Sequence, residues 1–189
     1  MTDLYFVRHA QPAVDWPDDR TRPLTPLGMR DSMELSALFA NIPIDMFVSS
    51  PYKRSVDTIA DCARLFKLEI ATDERLRERE RGKDANAEGI LEKRWSDFSF
   101  CEEGGEPLMR VQKRNIEAVK DILGSHANKS IVVGTHGTAL STIMNYYDPS
   151  LGCDWFKKIW FCMPYVIRFR YDGQKLTGCE ELFSVERGY

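Results

Sequence analysis

Five side chains with the chemistry of an anion site stand where predicted strands end or one turn beyond: Arg8, His9, Arg54, Glu78 and His136. A guanidinium is a planar, permanently charged fork that suits phosphate or carboxylate, and an uncharged imidazole can act as a nucleophile near pH 7. An isolated Arg-His pair would be assigned to the surface of a loop. Because the carboxyl ends of parallel strands meet at one rim of a sheet, however, we expect these five side chains to converge there.

Glu78 is the one acidic side chain in this predicted cationic pocket. A carboxyl group at this position could donate a proton to a leaving group. The helix predicted to begin at Gly137 offers free backbone N–H groups and the positive end of its dipole, and both favour phosphate. We therefore expect Gly137 to help bind an anion. His136 is expected to add positive charge alongside the two arginines.

The elements that must position these residues alternate along the chain. Short apolar runs predict buried strands at residues 4–7, 45–48, 69–72 and 130–134. Helical patterns fall between and after them, at residues 25–40, 50–66, 87–98, 107–123 and onward from 137. The alternation predicts a three-layer α/β fold, with a mainly parallel central sheet and helices on both faces. The runs 165–171 and 175–183, joined by a turn at 172–173, predict an antiparallel edge near the C-terminus.

Two helix starts carry specific expectations. Thr25 is a plausible N-cap with Pro26 at the first helical position, and an apolar face is predicted to contain Met29, Met33, Ala37 and Ala40. Ser50 and Pro51 are expected to play the same two parts for the next helix.

Composition narrows the class of protein. The length of 189 residues predicts a single domain over residues 1–189, and 43% hydrophobic with 29% charged residues is ordinary for a soluble protein. A net charge of −3 argues against nucleic-acid and membrane-surface partners. The five cysteines form no C-x-x-C pair and the start of the chain has no signal-peptide pattern, so we expect a cytoplasmic location. No metal-ligand cluster is seen, and no cofactor is expected.

Five motifs resemble those of the histidine phosphatase superfamily, the phosphoglycerate mutase-like proteins. The R-H-G signature is matched at residues 8–10, L-T-x-x-G at 24–28, S-S-P-x-x-R-x-x-x-T at 49–58, L-x-E at 76–78, and the second H-G at 136–137. They occur in the expected order and span essentially the whole chain.

The resemblance implies a metal-independent phosphatase acting on a small phosphorylated metabolite. His9 would attack phosphorus and become a phosphohistidine, while Arg8, Arg54 and His136 hold the non-bridging oxygens. Glu78 would protonate the leaving oxygen and then help to activate water. The resemblance also implies substrate contact by Arg79, and Gln11 is expected either to line the pocket or to cap a turn.

Three positions depart from the family pattern. Ala10 replaces the usual Gly, and Pro12 and Asp15 appear where the mutases typically carry Ser and Asn to hold phosphate. Asp15 beside a phosphate would repel it. Pro12 and Asp15 weaken the interpretation as a phosphoglycerate-type mutase, which stays open as an alternative. The three departures also leave open a non-catalytic phosphate-binding regulatory module.

Several segments are placed only loosely. Arg77, Glu80 and Arg81 are expected on a solvated face. Residues 83–105 are expected to flank the mouth, with one short helix that buries Ile90, Leu91 and Trp95. The aromatic residues at 155–161 are expected mostly in the core, although they could shape the mouth or a dimer contact. A homodimer remains one expectation for the oligomeric state.

Overall fold

A six-stranded sheet with the order β3-β2-β4-β1-β5-β6 organises the computed structural model, which describes residues 1–187. The strands are β1 (Thr2–Arg8), β2 (Met46–Ser49), β3 (Ile70–Thr72), β4 (Ser130–Thr135), β5 (Cys162–Asp172) and β6 (Lys175–Glu186). The α-helices are α1 (Pro26–Phe39), α2 (Lys53–Phe66), α3 (Ile90–Ser96), α4 (Leu108–Ser125), α5 (Gly137–Tyr147) and α6 (Cys153–Ile159). A single 3-10 turn, Glu74–Leu76, follows β3.

Strand pairing confirms the predicted fold class. Strands β3, β2, β4 and β1 run parallel to one another, whereas β5 is antiparallel to β1 and β6 is antiparallel to β5, so these two form the C-terminal edge. The carboxyl ends of β1 and β4 meet because Arg8 pairs with Thr135 in register. The residues that follow these two strands are therefore neighbours.

The alternation of side chains along β1 separates two hydrophobic cores. Leu4 and Phe6 pack with residues of α4, α5 and α6 on one face of the sheet. Tyr5 and Val7 pack with residues of α1 and α2 on the other face. Both faces are thus covered by helices, as a buried parallel sheet requires.

Helix α1 begins where predicted, but it buries a different face. Thr25 accepts a hydrogen bond from Gly28 N, as an N-cap should. Met29 and Met33, however, are 48% and 60% exposed, and the buried side carries Asp31 and Ser32 together with apolar residues. The predicted apolar face is wrong because Leu35 and Phe39, on a different face of the helix, pack in the core against the sheet. Asp31 on that face is buried in an ion pair with Arg187, 156 residues away along the chain.

The start of α2 also differs from the prediction. The helix begins at Lys53 with Tyr52 at the N-cap position, so Pro51 lies outside it. Ser50 is not the N-cap, since its Oγ accepts a hydrogen bond from Tyr52 N and lies 2.7 Å from His136 Nε2. A residue expected to cap a helix therefore contacts the predicted site.

The loosely placed segment folds into one short helix and long turns. Helix α3 buries Arg94, while Ile90, Leu91 and Trp95 are only half-buried, contrary to the prediction. In the aromatic segment, α6 buries Phe156, and Trp160 just after it is half-buried. No helix formed by residues 1–187 has both the length and the apolar character needed to cross a bilayer.

Gly28 gives a test of how the chain after β1 is held. A Cβ at Gly28 would lie 2.4 Å from Gln11 O, whereas a Cβ at Gly124 in α4 would meet nothing within 4 Å. We expect Gly28→Ala to lower the free energy of unfolding by about 1–3 kcal/mol through overpacking. Gly124→Ala should raise it by about 0.5–1 kcal/mol, the usual gain in a helix. Urea denaturation of both variants checks the opposite signs, and equal effects would contradict the account.

Candidate active site

The two histidines lie side by side because they follow neighbouring parallel strands. His9 comes directly after β1 and donates its backbone N–H to Thr135 O at 3.1 Å, and His136 comes directly after β4. The two ring centroids are 5.3 Å apart. The structure thus brings together the two histidines predicted for the site.

A cleft of about 310 Å³ opens beside His9. Four of the five predicted residues line it, whereas His136 is fully buried. The lining side chains are Arg8, His9, Pro12, Val14, Asp19, Arg22, Arg54, Glu78, Arg81, Asn86 and Trp160. Four arginines face two carboxylates, so the cleft is suited to an anion.

His9 is held as an uncharged imidazole. Its Nδ1 lies 2.8 Å from Ala10 O, so Nδ1 carries the proton and Nε2 keeps a free lone pair. Burial, and then the positive charges of Arg54 and Arg8, lower the pKa of His9 well below its usual value of 6.5. A nucleophile with a free lone pair therefore lines the cleft at neutral pH.

His136 is also uncharged, which corrects one expectation. Burial, and then the positive charge of Arg54, lower the pKa of His136 well below 6.5. The ring contacts Ser50 through Nε2 and packs edge-on against Tyr52 at 5.1 Å between centroids. The expectation that His136 adds positive charge is wrong for this state, so the arginines supply it.

Arg8 is 4% exposed, and backbone carbonyls at the end of α6 and the start of β5 hold its guanidinium. Its Nη1 donates to Ile159 O, at the carboxyl end of α6, and to Cys162 O at 3.3 Å. Gly137 makes room for this guanidinium, since a Cβ there would lie 3.2 Å from Arg8 Cζ. The glycine of the second H-G motif thus permits a close approach by Arg8.

Arg54 is 3% exposed and is held by an acid that the sequence did not single out. Its Nη1 donates to Asp19 O at 2.5 Å and lies 3.2 Å from the Asp19 carboxylate. The guanidinium also stacks over the Tyr52 ring at 5.0 Å. Asp19 lies in a polar loop without periodicity or motif, so only its charge could have suggested a role.

Glu78 is fixed by backbone amides on both of its oxygens. Oε1 accepts from Arg79 N at 2.8 Å and Ala139 N at 3.2 Å, and Oε2 accepts from Thr138 N at 3.1 Å. The carboxylate thus occupies the positive end of α5. The expectation of free N–H groups for phosphate at this helix start is wrong for these two amides, because Glu78 takes them.

Gln11 and Arg79, two residues predicted to contact substrate, do not line the cleft beside His9. Thr25 donates two hydrogen bonds to Gln11, one from its N–H to the backbone O of Gln11 and one from its Oγ1 to Gln11 Oε1. Gln11 does not line the cleft. This arrangement corresponds to the turn-capping alternative. Arg79 is 3% exposed and binds Glu102 at 2.6 Å, where it lines a second cleft of about 40 Å³ beside the first.

The three departures from the family pattern are accommodated differently. Ala10 is buried, has no positive φ, and donates its N–H to Thr58 Oγ1 at 2.9 Å. Pro12 lines the cleft with neither an N–H nor a hydroxyl to offer a phosphate. Asp15 is exposed and lies outside the cleft lining, so it does not face the anion site.

Arg81 is a lining residue that the sequence assigned to a solvated face. It borders both clefts, together with Asn86 and Trp160. Residues 77–82 form neither helix nor strand, so no periodicity could indicate which side chains face the cleft. Within residues 1–187, no three His, Cys, Asp or Glu side chains gather as they would to hold a metal ion.

Comparison with known proteins agrees with this geometry. Phosphoserine phosphatase 1 of Hydrogenobacter thermophilus is 28% identical over 85% of this chain and 81% of its own length. Putative phosphoserine phosphatase 2 of the same organism is 26% identical over 76% and 77%. A phosphoserine phosphatase mutant from Entamoeba histolytica, solved with phosphoserine, superimposes with a TM-score of 0.77 at 20% identity over 95% of this chain and 96% of that one.

The same Entamoeba histolytica enzyme solved with 3-phosphoglyceric acid gives a TM-score of 0.76 at 21% identity, over 95% of this chain and 96% of that one. These structural likenesses show a shared fold. The model of the histidine phosphatase superfamily (branch 1) matches residues 4–177, which include all five predicted site residues. The chain therefore belongs to the histidine phosphatase superfamily, a family of phosphatases.

Proposed function

We propose that this chain hydrolyses a phosphomonoester through a phosphohistidine on His9 Nε2, without a metal ion. The observation that carries the proposal is the buried, uncharged imidazole of His9, whose Nδ1 proton is committed to Ala10 O. Arg8 and Arg54 flank the same cleft, where they can neutralise the charge of a transferring phosphoryl group.

In the first step the His9 Nε2 lone pair forms a bond to phosphorus while the ester P–O bond breaks. Glu78, which lines the same cleft, gives its carboxyl proton to the leaving oxygen. In the second step water attacks phosphorus, the Glu78 carboxylate accepts the proton of that water, and the N–P bond breaks. Phosphate leaves, and both side chains return to their starting forms.

The substrate we propose is a small phosphate ester that carries a carboxylate. Relatives are named phosphoserine phosphatases, and the Entamoeba histolytica protein was solved with phosphoserine and with 3-phosphoglyceric acid. In this chain the exposed Arg81 lines the cleft together with Arg8 and Arg54, and it forms no ion pair with another of the described residues 1–187. A second anionic group could pair with it.

The other two interpretations predict different outcomes. A mutase would pass the phosphoryl group to a second hydroxyl instead of releasing phosphate, and a binding module would hold ligand without forming a phosphoenzyme. Pro12 offers no hydrogen-bond donor where a mutase holds phosphate, which favours hydrolysis.

Removal of the nucleophile is the simplest test. With an aryl phosphate in excess chelator, the wild type should release phosphate, and His9→Ala should lose at least about 10³-fold in turnover. His126→Ala is a matched control, because His126 lies at the end of α4, outside the cleft lining. Retained turnover in His9→Ala, or loss of turnover in chelator alone, would contradict the proposal.

The pH dependence of kcat/KM tests the charge state of His9. Because the pKa of His9 is lowered below 6.5, its uncharged form persists as the pH falls from 7 through 6.5. The second ionisation of the phosphate ester has a pKa of about 6 and is corrected for. The corrected kcat/KM should then be retained between pH 7 and pH 6.5 and should fall only at lower pH. A half-maximal kcat/KM at or above pH 6.5 would show instead that an unperturbed imidazole controls the reaction.

The proposed carboxylate is tested by comparing phosphoserine with phosphoethanolamine, which lacks that group. We expect Arg81→Ala to raise KM for phosphoserine about 10-fold, the effect of one charge-assisted hydrogen bond, and to change KM for phosphoethanolamine less than about 2-fold. Arg110→Ala, an exposed change on α4, is the control. Equal effects on both substrates, or no turnover of phosphoserine, would exclude this substrate class.

A further inference from the structure

Glu78 reaches the cleft on a segment that has no regular structure to hold it. Residues 77–82 follow the 3-10 turn and precede long turns, so neighbouring strands or helical hydrogen bonds do not fix this backbone. A carboxyl group that transfers a proton must lie within hydrogen-bond reach of the leaving oxygen. Something outside the segment must therefore set its position.

The amides of α5 hold the Glu78 carboxylate, and Arg114 of α4 constrains the backbone of the segment through all of its donors. A guanidinium has five N–H groups. Nη1 donates to Arg75 O at 2.7 Å and to Arg77 O at 2.6 Å, and Nη2 donates to Glu78 O at 3.1 Å. The remaining two, on Nε and Nη2, bind the two oxygens of Glu106, each at 2.9 Å. One carbonyl of the 3-10 turn and two of the irregular segment after it are thus tied to a long helix.

Glu106 joins a second arginine to the same frame. Its carboxylate binds Arg77 Nη1 at 3.0 Å, and Arg77 Nη1 also donates to Glu78 O at 3.1 Å. The Glu106 side chain is 3% exposed. Burial alone raises the pKa of Glu106, but the hydrogen bond and charge of Arg114 outweigh it and hold that pKa below its usual range. Glu106 therefore stays ionised and fixes both guanidinium planes.

The peptide bond between Glu78 and Arg79 links this frame to the acid. Its oxygen accepts from both Arg114 and Arg77, and its N–H donates to Glu78 Oε1 at 2.8 Å. If that peptide plane turns, the carboxylate loses one of its three amide donors and the side chain shifts relative to α5. The two arginines thus control the geometry of Glu78 without touching its carboxylate.

We propose that Arg114, together with Glu106, is a positioning residue for proton transfer by Glu78. The inference rests on the proposed function, because it assumes that Glu78 is the proton donor. It goes further by assigning the donor's placement to two side chains that belong to none of the five sequence motifs. A change in this frame should weaken proton transfer specifically, and leave phosphoryl binding and attack by His9 nearly intact.

The test compares phenyl phosphate, whose leaving group needs a proton, with 2,4-dinitrophenyl phosphate, whose leaving group does not. The measured quantity is kcat/KM, which reports the step in which His9 is phosphorylated. Arg114→Lys keeps the charge but has only three donors, so it cannot make all five bonds. Glu106→Gln tests the same frame if Arg114→Lys does not fold, which thermal unfolding of each variant will show.

We expect Arg114→Lys and Glu106→Gln to lose about 10-fold in kcat/KM on phenyl phosphate and less than about 2-fold on 2,4-dinitrophenyl phosphate. Arg75→Ala is the matched control. Its guanidinium joins the same turn to α4 through Asp121 at 2.6 Å but contacts neither Glu78 nor Glu106. Equal losses on both substrates in the folded frame variants would show a merely structural role and overturn the inference.

Glu78→Gln separates failure of this inference from failure of the proposed function. It should lose about 10² or more on phenyl phosphate, and Arg114→Lys should add no further selective loss in that background. If Glu78→Gln affects both substrates equally, the role of Glu78 as proton donor is wrong and the inference falls with it. If Glu78→Gln is selective but the frame variants are not, only the positioning role is wrong.

Discussion

Two guanidinium groups buried beside two imidazoles are the constraint on which the rest of the site depends. A buried charge is costly unless it is paired with an opposite charge or hydrogen-bonded. Arg8 therefore requires the carbonyls of Ile159 and Cys162, and Arg54 requires Asp19. The same two charges, added to burial, keep His9 uncharged. The arrangement that would bind a phosphate thus also prepares the nucleophile.

Pairing of buried charges also holds the segment between β3 and α4. Arg77, Arg79 and Arg114 are all largely buried, and each finds a carboxylate supplied by residues 102–106. Glu102 binds Arg79, and Glu106 binds the other two. These turns therefore provide the counter-charges that let an irregular backbone hold Glu78 at the start of α5. In this chain the strands set the positions of both histidines, whereas the amides of α5 and a side-chain network hold the acid.

The sequence was most informative where a local signal matched the fold. Apolar runs located β1, β2 and β4, and Thr25 with Pro26 located the start of α1, because these features depend on neighbouring residues. The strand ends then brought four of the five predicted site residues to one cleft. The cause is geometric, since parallel neighbours must end at the same rim.

Errors arose where distant residues decide the outcome. Asp31 on the buried face of α1 pairs with Arg187, and Ser50 contacts His136 instead of capping α2. Glu78 occupies amides of α5 that were expected to be free, 60 residues further along the chain. Each depends on a contact between residues far apart in sequence, which no local pattern can encode.

The central claim is that the phosphoryl group passes to Nε2 of His9, because Nδ1 carries a proton held by Ala10 O. Rapid quenching of the enzyme during turnover, followed by ³¹P NMR and peptide mapping, tests this directly. The account predicts an acid-labile, base-stable phosphoramidate on His9, with phosphorus bonded to Nε2. A phosphoryl group on Nδ1, on another residue, or on no residue while substrate is being hydrolysed would contradict it.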